Sequence, residues 1–375
     1  MSTQMLPRRC AWLLAALGLW LAACAADKPT PKPLESFEPK IAGRMVWSER
    51  VDGVKFPLAI AVNGNVFTVA GDDGTVLAID AATGRSVWRA DVGAPLSAGV
   101  GSDGRFAAVV TRGGELVVVE AGKVLWRKDL GVRVSSAPLV AGERVFVLAV
   151  DRSVHAFDAL DGRRLWLSRR PGDPLTLAHS GALLPFNDTL LVGQGPRLAG
   201  LDPLKGSVRW EVAVATPRGT NEVERLADLV GPVVRVGKLV CSRAFQSAVG
   251  CVNGELGTLV WSRNVGGTHG LAGDEQMIFG ADASDRLSAW RIATGEVAWS
   301  SESMLYRGLS APLRVGKTLV FGDAEGLVHW LSPEKGEPQL RLSTDGSPVA
   351  ATPAMAGTTL LVATRNGGLF AFRPE

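Results

Sequence analysis

Residues 57–88 read PLAIAVNGNVFTVAGDDGTVLAIDAATGRSVW, and this stretch decides the fold. It holds four short apolar runs. Asn63-Gly64 parts the first two, Gly71-Asp72-Asp73-Gly74 the next two, and Ala81-Ala82-Thr83-Gly84 leads into the last. Runs rich in Val and Ile, broken by Gly, Asn and Asp, are strands joined by tight turns. They are apolar throughout rather than alternating, which fits a sheet covered on both faces.

The unit recurs along the chain. A turn glycine followed four residues later by tryptophan occurs as Gly43/Trp47, Gly84/Trp88, Gly122/Trp126, Gly162/Trp166, Gly206/Trp210, Gly257/Trp261 and Gly295/Trp299. Gly336/Leu340 is an eighth copy with leucine in place of tryptophan. A strand-rich period of about 40 residues is the mark of propeller blades. The last unit stops after three strands, and the strand around Trp47 stands before any complete unit. We therefore expect an all-β, eight-bladed β-propeller of four-stranded antiparallel blades over residues 44–375, with the N-terminal strand completing the last blade. Closure leaves no open sheet edge. Seven blades plus an irregular N-terminal segment is the alternative.

The N-terminus reads as an export signal. Arg8 and Arg9 precede an apolar stretch at 11–22, too short to span a bilayer, which runs into Leu21-Ala22-Ala23-Cys24. That ending resembles the bacterial lipobox, which implies a signal peptide over 1–23 and lipidation of Cys24. Two or more acyl chains make a stable anchor. Ala25 follows the cysteine, and under the enterobacterial sorting rule this points to the outer membrane. Residues 24–43 hold Pro29, Pro31, Pro33 and Pro39 and read as a semi-extended tether that spaces the body off the membrane.

Little in the composition suggests other chemistry. The net charge of +3 on 375 residues comes without a Lys/Arg block, which argues against nucleic acid. The four histidines are isolated, with neither metal-ligand spacing nor a phosphate-loop or nucleophile motif nearby, so no cofactor, metal or catalytic residue is expected. A propeller that binds a small molecule or cell-wall polymer in its central channel remains a rival class.

The run Ala78-Ile79-Asp80-Ala81-Ala82-Thr83-Gly84-Arg85-Ser86-Val87-Trp88 resembles the repeat of quinoprotein dehydrogenases. Those enzymes are longer and carry adjacent cysteines over their cofactor. This chain has no Cys-Cys pair. With its lipobox, Pro-rich tether and eight units, the whole chain instead resembles the BamB family. Residues 221–228 (NEVERLAD), 305–312 (LYRGLSAP) and 320–330 (VFGDAEGLVHW) are the more specific matches. The resemblance implies a non-enzymatic scaffold lipoprotein on the periplasmic face of the outer membrane. Its implied partners are the periplasmic POTRA domains of the barrel insertase BamA and, through it, the other Bam lipoproteins. Unfolded barrel clients, bound by strand addition, are a further partner class.

Spacing points to a binding surface independently. Trp166 to Trp210 and Trp210 to Trp261 are the longest intervals, 44 and 51 residues, and they are consecutive. The extra residues fall at 169–182 and 215–231, in connections that share one end of a propeller. Enlarged loops on a rigid scaffold commonly carry function. The first offers Leu175 and Leu177, the second Glu224, Arg225 and Asp228. Apolar anchors beside directional charges suit docking; the bland alternatives are leucines capping the core and a solvated charged loop. Leu175, Leu177, Arg225 and Asp228 match the pattern of the family's insertase-binding patch, whereas Ala178 and Val230 depart from it where the family often has Arg and an acid.

Cys241 and Cys251 align with Thr68 and Ala78, on neighbouring strands, with Gln246 at the turn between. That places them opposite one another, within reach of a disulfide; two small buried residues are the alternative. A disulfide predicts no titratable thiol in the denatured, unreduced mature chain and two after reduction. Two thiols without reductant would exclude the bond.

Overall fold

The computed structural model describes residues 29–170, 176–177, 179, 181–217, 219–221 and 224–374. These form eight four-stranded antiparallel sheets arranged as a ring, an eight-bladed β-propeller. Blades one to seven span 61–91, 101–129, 139–168, 183–213, 229–263, 272–301 and 313–343. Blade eight takes three strands from the C-terminus, and its outer strand is Gly43–Arg50, paired with Gly368–Pro374. The N-terminal strand thus closes the ring. Within each blade the strands are called A to D in ladder order; the A strands of neighbouring blades touch around the axis.

The repeat has a simple physical basis. Across seven of the eight seams, the D-strand tryptophan of one blade lies against the turn glycine of the next. A Cβ built on Gly84 would stand 2.7 Å from Trp47, on Gly162 2.7 Å from Trp126, and on Gly206 2.4 Å from Trp166. Those three glycines also have φ of +75°, +70° and +72°, in the left-handed region. Five of the indole N–H groups then donate to the carbonyl three residues before that glycine. Trp47 reaches Ala81 at 2.9 Å, Trp126 Ala159 at 2.8 Å, Trp166 Pro203 at 3.0 Å, Trp261 Ile292 at 2.8 Å and Trp299 Pro333 at 2.7 Å. The motif is a contact between blades, which is why its two residues keep one spacing.

Inside each blade the tryptophan faces a small residue on strand C: Ala78 opposite Trp88, Ala156 opposite Trp166, Gly200 opposite Trp210. Blade seven reverses the sizes. There Leu340 stands on strand D and fully buried Trp330 faces it from strand C. The pair keeps its volume, as close packing requires.

Cys241 and Cys251 are direct partners in the B–C ladder of blade five and are disulfide-bonded, with Cα atoms 4.0 Å apart. Thr68 and Ala78 are paired in the same way in blade one.

Among the described residues, 29–42 of the Pro-rich segment form no strand or helix, but they are not a free spacer. Lys32 and Lys40 both bond to the propeller through their backbone N–H groups, to Leu305 and Gln339. Extended chain with few internal bonds finds its partners on blade seven instead.

Gly206→Ala should therefore cost more than Gly64→Ala. Both place alanine at positive φ, about 1–2 kcal/mol, but only position 206 meets an indole; nothing lies within 4 Å of a Cβ at Gly64. Overpacking adds about 1–3 kcal/mol. Equal denaturation midpoints for the two variants would contradict the seam contact.

Candidate functional site: the loop face

The B–C turns and the connections between blades emerge at one end of the ring, and both enlarged connections lie there. They are held together. Gly181 and Val230 form a β-bridge, and Gly181 N–H donates to Ser136 Oγ at 2.8 Å. Val230 is 2% exposed. The valine at this position serves packing.

Asp228 is the knot of the site. One carboxylate oxygen accepts the backbone N–H of Leu177 at 2.9 Å, and the other meets the Arg152 guanidinium at 3.3 Å. Arg152 comes from the B–C turn of blade three, Leu177 from the connection leaving blade three, and Asp228 from the connection entering blade five. A single carboxylate thus joins three segments that are distant in sequence. The Asp228 side chain is 16% exposed, so these bonds are only partly screened by water and carry more weight than a surface ion pair. Thr176 Oγ1 fixes the same segment by donating to Val150 O at 2.8 Å.

Glu224 acts locally. Its carboxylate accepts the Thr220 N–H at 2.7 Å, the Thr220 hydroxyl at 3.1 Å and the Asn221 side-chain amide at 2.9 Å, while Asn221 Oδ1 accepts the Glu224 N–H at 2.9 Å. The two residues thus bond to each other reciprocally, in the manner of a capping box. The Thr220 backbone N–H, first among these donors, holds the Glu224 carboxyl below its usual range. Arg225 follows on that turn, exposed and without an ion pair among the described residues. Leu177 is half-buried at the crevice between the loops. Leu175, Ala178 and Cys24 lie outside the described residues. Leu177 and Asp228 are thus bonded directly, and Arg225 stands three residues before Asp228 on the same connection. Arg152 was not legible in the sequence, where its turn looks like any other.

The channel is chemically plain. Its lower part is walled by residues such as Ile60, Val62, Val100, Leu184 and Met355, with no charged side chain in the lining. Towards the loop face the mouth gains Lys55, His179, His269 and Arg365. Burial pushes the His269 imidazole down to about 4, with His179, Arg243 and Arg365 adding to the effect. The described residues contain no cluster of three or more potential metal ligands.

Comparison with known proteins agrees with the repeat and the propeller fold. Residues 72–301 match the family model described as outer membrane protein assembly factor BamB. The chain belongs to the BamB family. It is 36% identical to the BamB of Burkholderia pseudomallei over 368 residues, covering 96% of this chain and 97% of that one. It is 32% identical to the BamB of Bordetella pertussis, with 96% and 95% covered. The crystal structure of BamB from Moraxella catarrhalis superposes with a TM-score of 0.81 at 22% identity, covering 88% of this chain and all of that one. A quinohemoprotein alcohol dehydrogenase from Comamonas testosteroni shares the fold at TM-score 0.68 and 15% identity. The BamB relatives are named as assembly factors, and the dehydrogenase likeness extends to the fold alone.

His269 gives a pH prediction. Its unfolded value is near 6.5 and its folded value about 4. The unfolded chain therefore binds the proton first, and stability falls as pH drops from 6.5 towards 4. His269→Gln should flatten that part of the denaturation-midpoint profile. An unchanged slope would count against a buried neutral imidazole.

Proposed function

We propose that this protein is a non-enzymatic scaffold of the outer-membrane β-barrel assembly machinery, lipidated at Cys24 and facing the periplasm. It docks onto the POTRA domains of the insertase BamA through the patch of Leu175, Leu177, Arg225 and Asp228, with Glu224 shaping the loop beside them. Membership of a family of outer-membrane protein assembly factors supports the setting. The observation that carries the surface is the Asp228 carboxylate, which ties the Leu177 segment to Arg152 and so presets the patch. A preset surface loses less ordering entropy on binding.

The roles divide accordingly. Leu175 and Leu177 are apolar anchors, Arg225 is a charge available to a partner carboxylate, and Asp228 is a positioning residue. Other Bam lipoproteins would be reached through the insertase. The rival reading, a ligand in the channel, is less supported: the lower lumen has no charged side chain in its lining and gives a polar ligand few directional partners there.

Co-purification with the insertase tests the reading. Leu175→Ala/Leu177→Ala should reduce recovery at least tenfold with an unchanged melting midpoint, since each buried anchor contributes about 1–2 kcal/mol or more. Asp228→Asn should weaken recovery less and loosen the loop, seen as faster exchange of the Leu177 amide. Full recovery with the folded double variant would defeat the assignment.

A further inference from the structure

Residues 32–41 lie along the outer edge of blade seven, held at several points. Lys32 N–H donates to Leu305 O at 2.9 Å, and Arg307 returns a bond to Lys32 O at 3.2 Å. Arg341 donates to Glu35 O at 3.3 Å and stacks its guanidinium 5.1 Å from the Phe37 ring centre. Lys40 N–H donates to Gln339 O at 2.8 Å, its ammonium pairs with Glu337 at 3.1 Å, and Ile41 packs on the core shared by blades seven and eight. The clamp has a foundation of its own. Arg307 is 4% exposed and bonds to Asp323 at 2.9 Å and to Glu325, and His329 meets the same Asp323 at 2.9 Å. Both 305–312 and 320–330, the segments singled out in the sequence, thus contribute to the clamp.

The direction of this strap matters. Its residue 40 end sits by the C–D turn of blade seven, whereas Lys32 leaves the body beside Leu305, in the connection between blades six and seven at the loop face. We propose that the strap delivers the anchored end of the chain at this point, making the rim around Tyr306 the edge of the propeller that meets the lipid surface. The proposal rests on the reading of Cys24 as lipidated. With the strap docked, only residues 25–31 are left as leash, at most about 25 Å of extended chain. Were the strap free, residues 25–42 could reach about 60 Å, and any edge could face the bilayer. Tyr306 is the chain's one tyrosine and is 41% exposed. An aromatic ring with a polar tip suits the headgroup zone. The Leu177–Asp228 patch shares the loop face but lies around the ring, between blades three and five. A rim-down tilt at blades six and seven therefore keeps that patch clear of the bilayer.

The test uses the full lipidated chain in phosphatidylethanolamine–phosphatidylglycerol vesicles carrying nitroxide headgroups. A fluorophore is placed by Ala283→Cys, exposed at the loop-face turn of blade six, or by Lys317→Cys, exposed on the opposite face. Quenching at 283 should exceed that at 317 several-fold. Phe37→Ala/Arg341→Ala, with strap release verified by faster hydrogen exchange over 32–41, should bring the two labels towards equality. Equal quenching in the strapped protein, or asymmetry surviving verified release, overturns the proposal. Intact mass of the same sample reads the anchor separately: a chain without the diacylglyceryl mass overturns the lipidation reading and this proposal with it, whereas equal quenching with that mass present overturns the proposal alone.

Discussion

A tryptophan lying against a glycine across seven of the eight blade seams is the contact on which this propeller depends. A blade alone is a small twisted sheet with two apolar faces, and it cannot bury either. The seam solves this at one stroke. The tryptophan covers apolar area, its N–H finds a carbonyl in most seams, and the glycine supplies both left-handed φ and the absence of a Cβ. Each blade but the seventh gives a tryptophan to one neighbour and a glycine to the other. The pattern is cyclic, so it must close on itself or leave one seam bare.

The seam between blades seven and eight departs most from the rule, and it shows how the rule works. Leu340 replaces the indole, and a Cβ on Gly43 would meet its Cδ2 at 2.7 Å. Leucine fills less space and donates no hydrogen bond. Trp330 restores the volume from the next strand. The N-terminal strap crosses the same region, with Lys40 bonded to Gln339 and Ile41 packed on the shared core. Bulk and hydrogen bonding, joined in one side chain elsewhere, are here divided between Trp330 and a separate stretch of chain.

The fold was legible because its signal is periodic. A fixed glycine-to-tryptophan offset reports a contact repeated at every blade, and the unpaired strand at Trp47 reports closure. The loop face was legible through interruptions of the same period. What escaped was aperiodic. Asp228 could be picked out as a charge, but its dependence on Arg152 links residues 76 apart through a turn that looks ordinary. Glu224 looked like an outward charge, whereas it caps its own turn. The Pro-rich stretch looked like a spacer because proline composition reports the absence of internal bonds. It says nothing about bonds to another surface, and Lys32, Glu35 and Lys40 make theirs to blade seven.

Closure by Gly43–Arg50 also sets a timetable. That strand precedes every other strand of the propeller in the chain, yet its partner, Gly368–Pro374, follows them all. Seven blades can gather from local hairpins as the chain arrives, whereas the eighth waits for the final residues, and its pairing spans nearly the entire chain. Closing so large a loop is entropically slow. Until it happens the ring is a split washer with one raw sheet edge at each end of the array, open to other unpaired strands. The strand Gly368–Pro374 is the latch that ends this exposure.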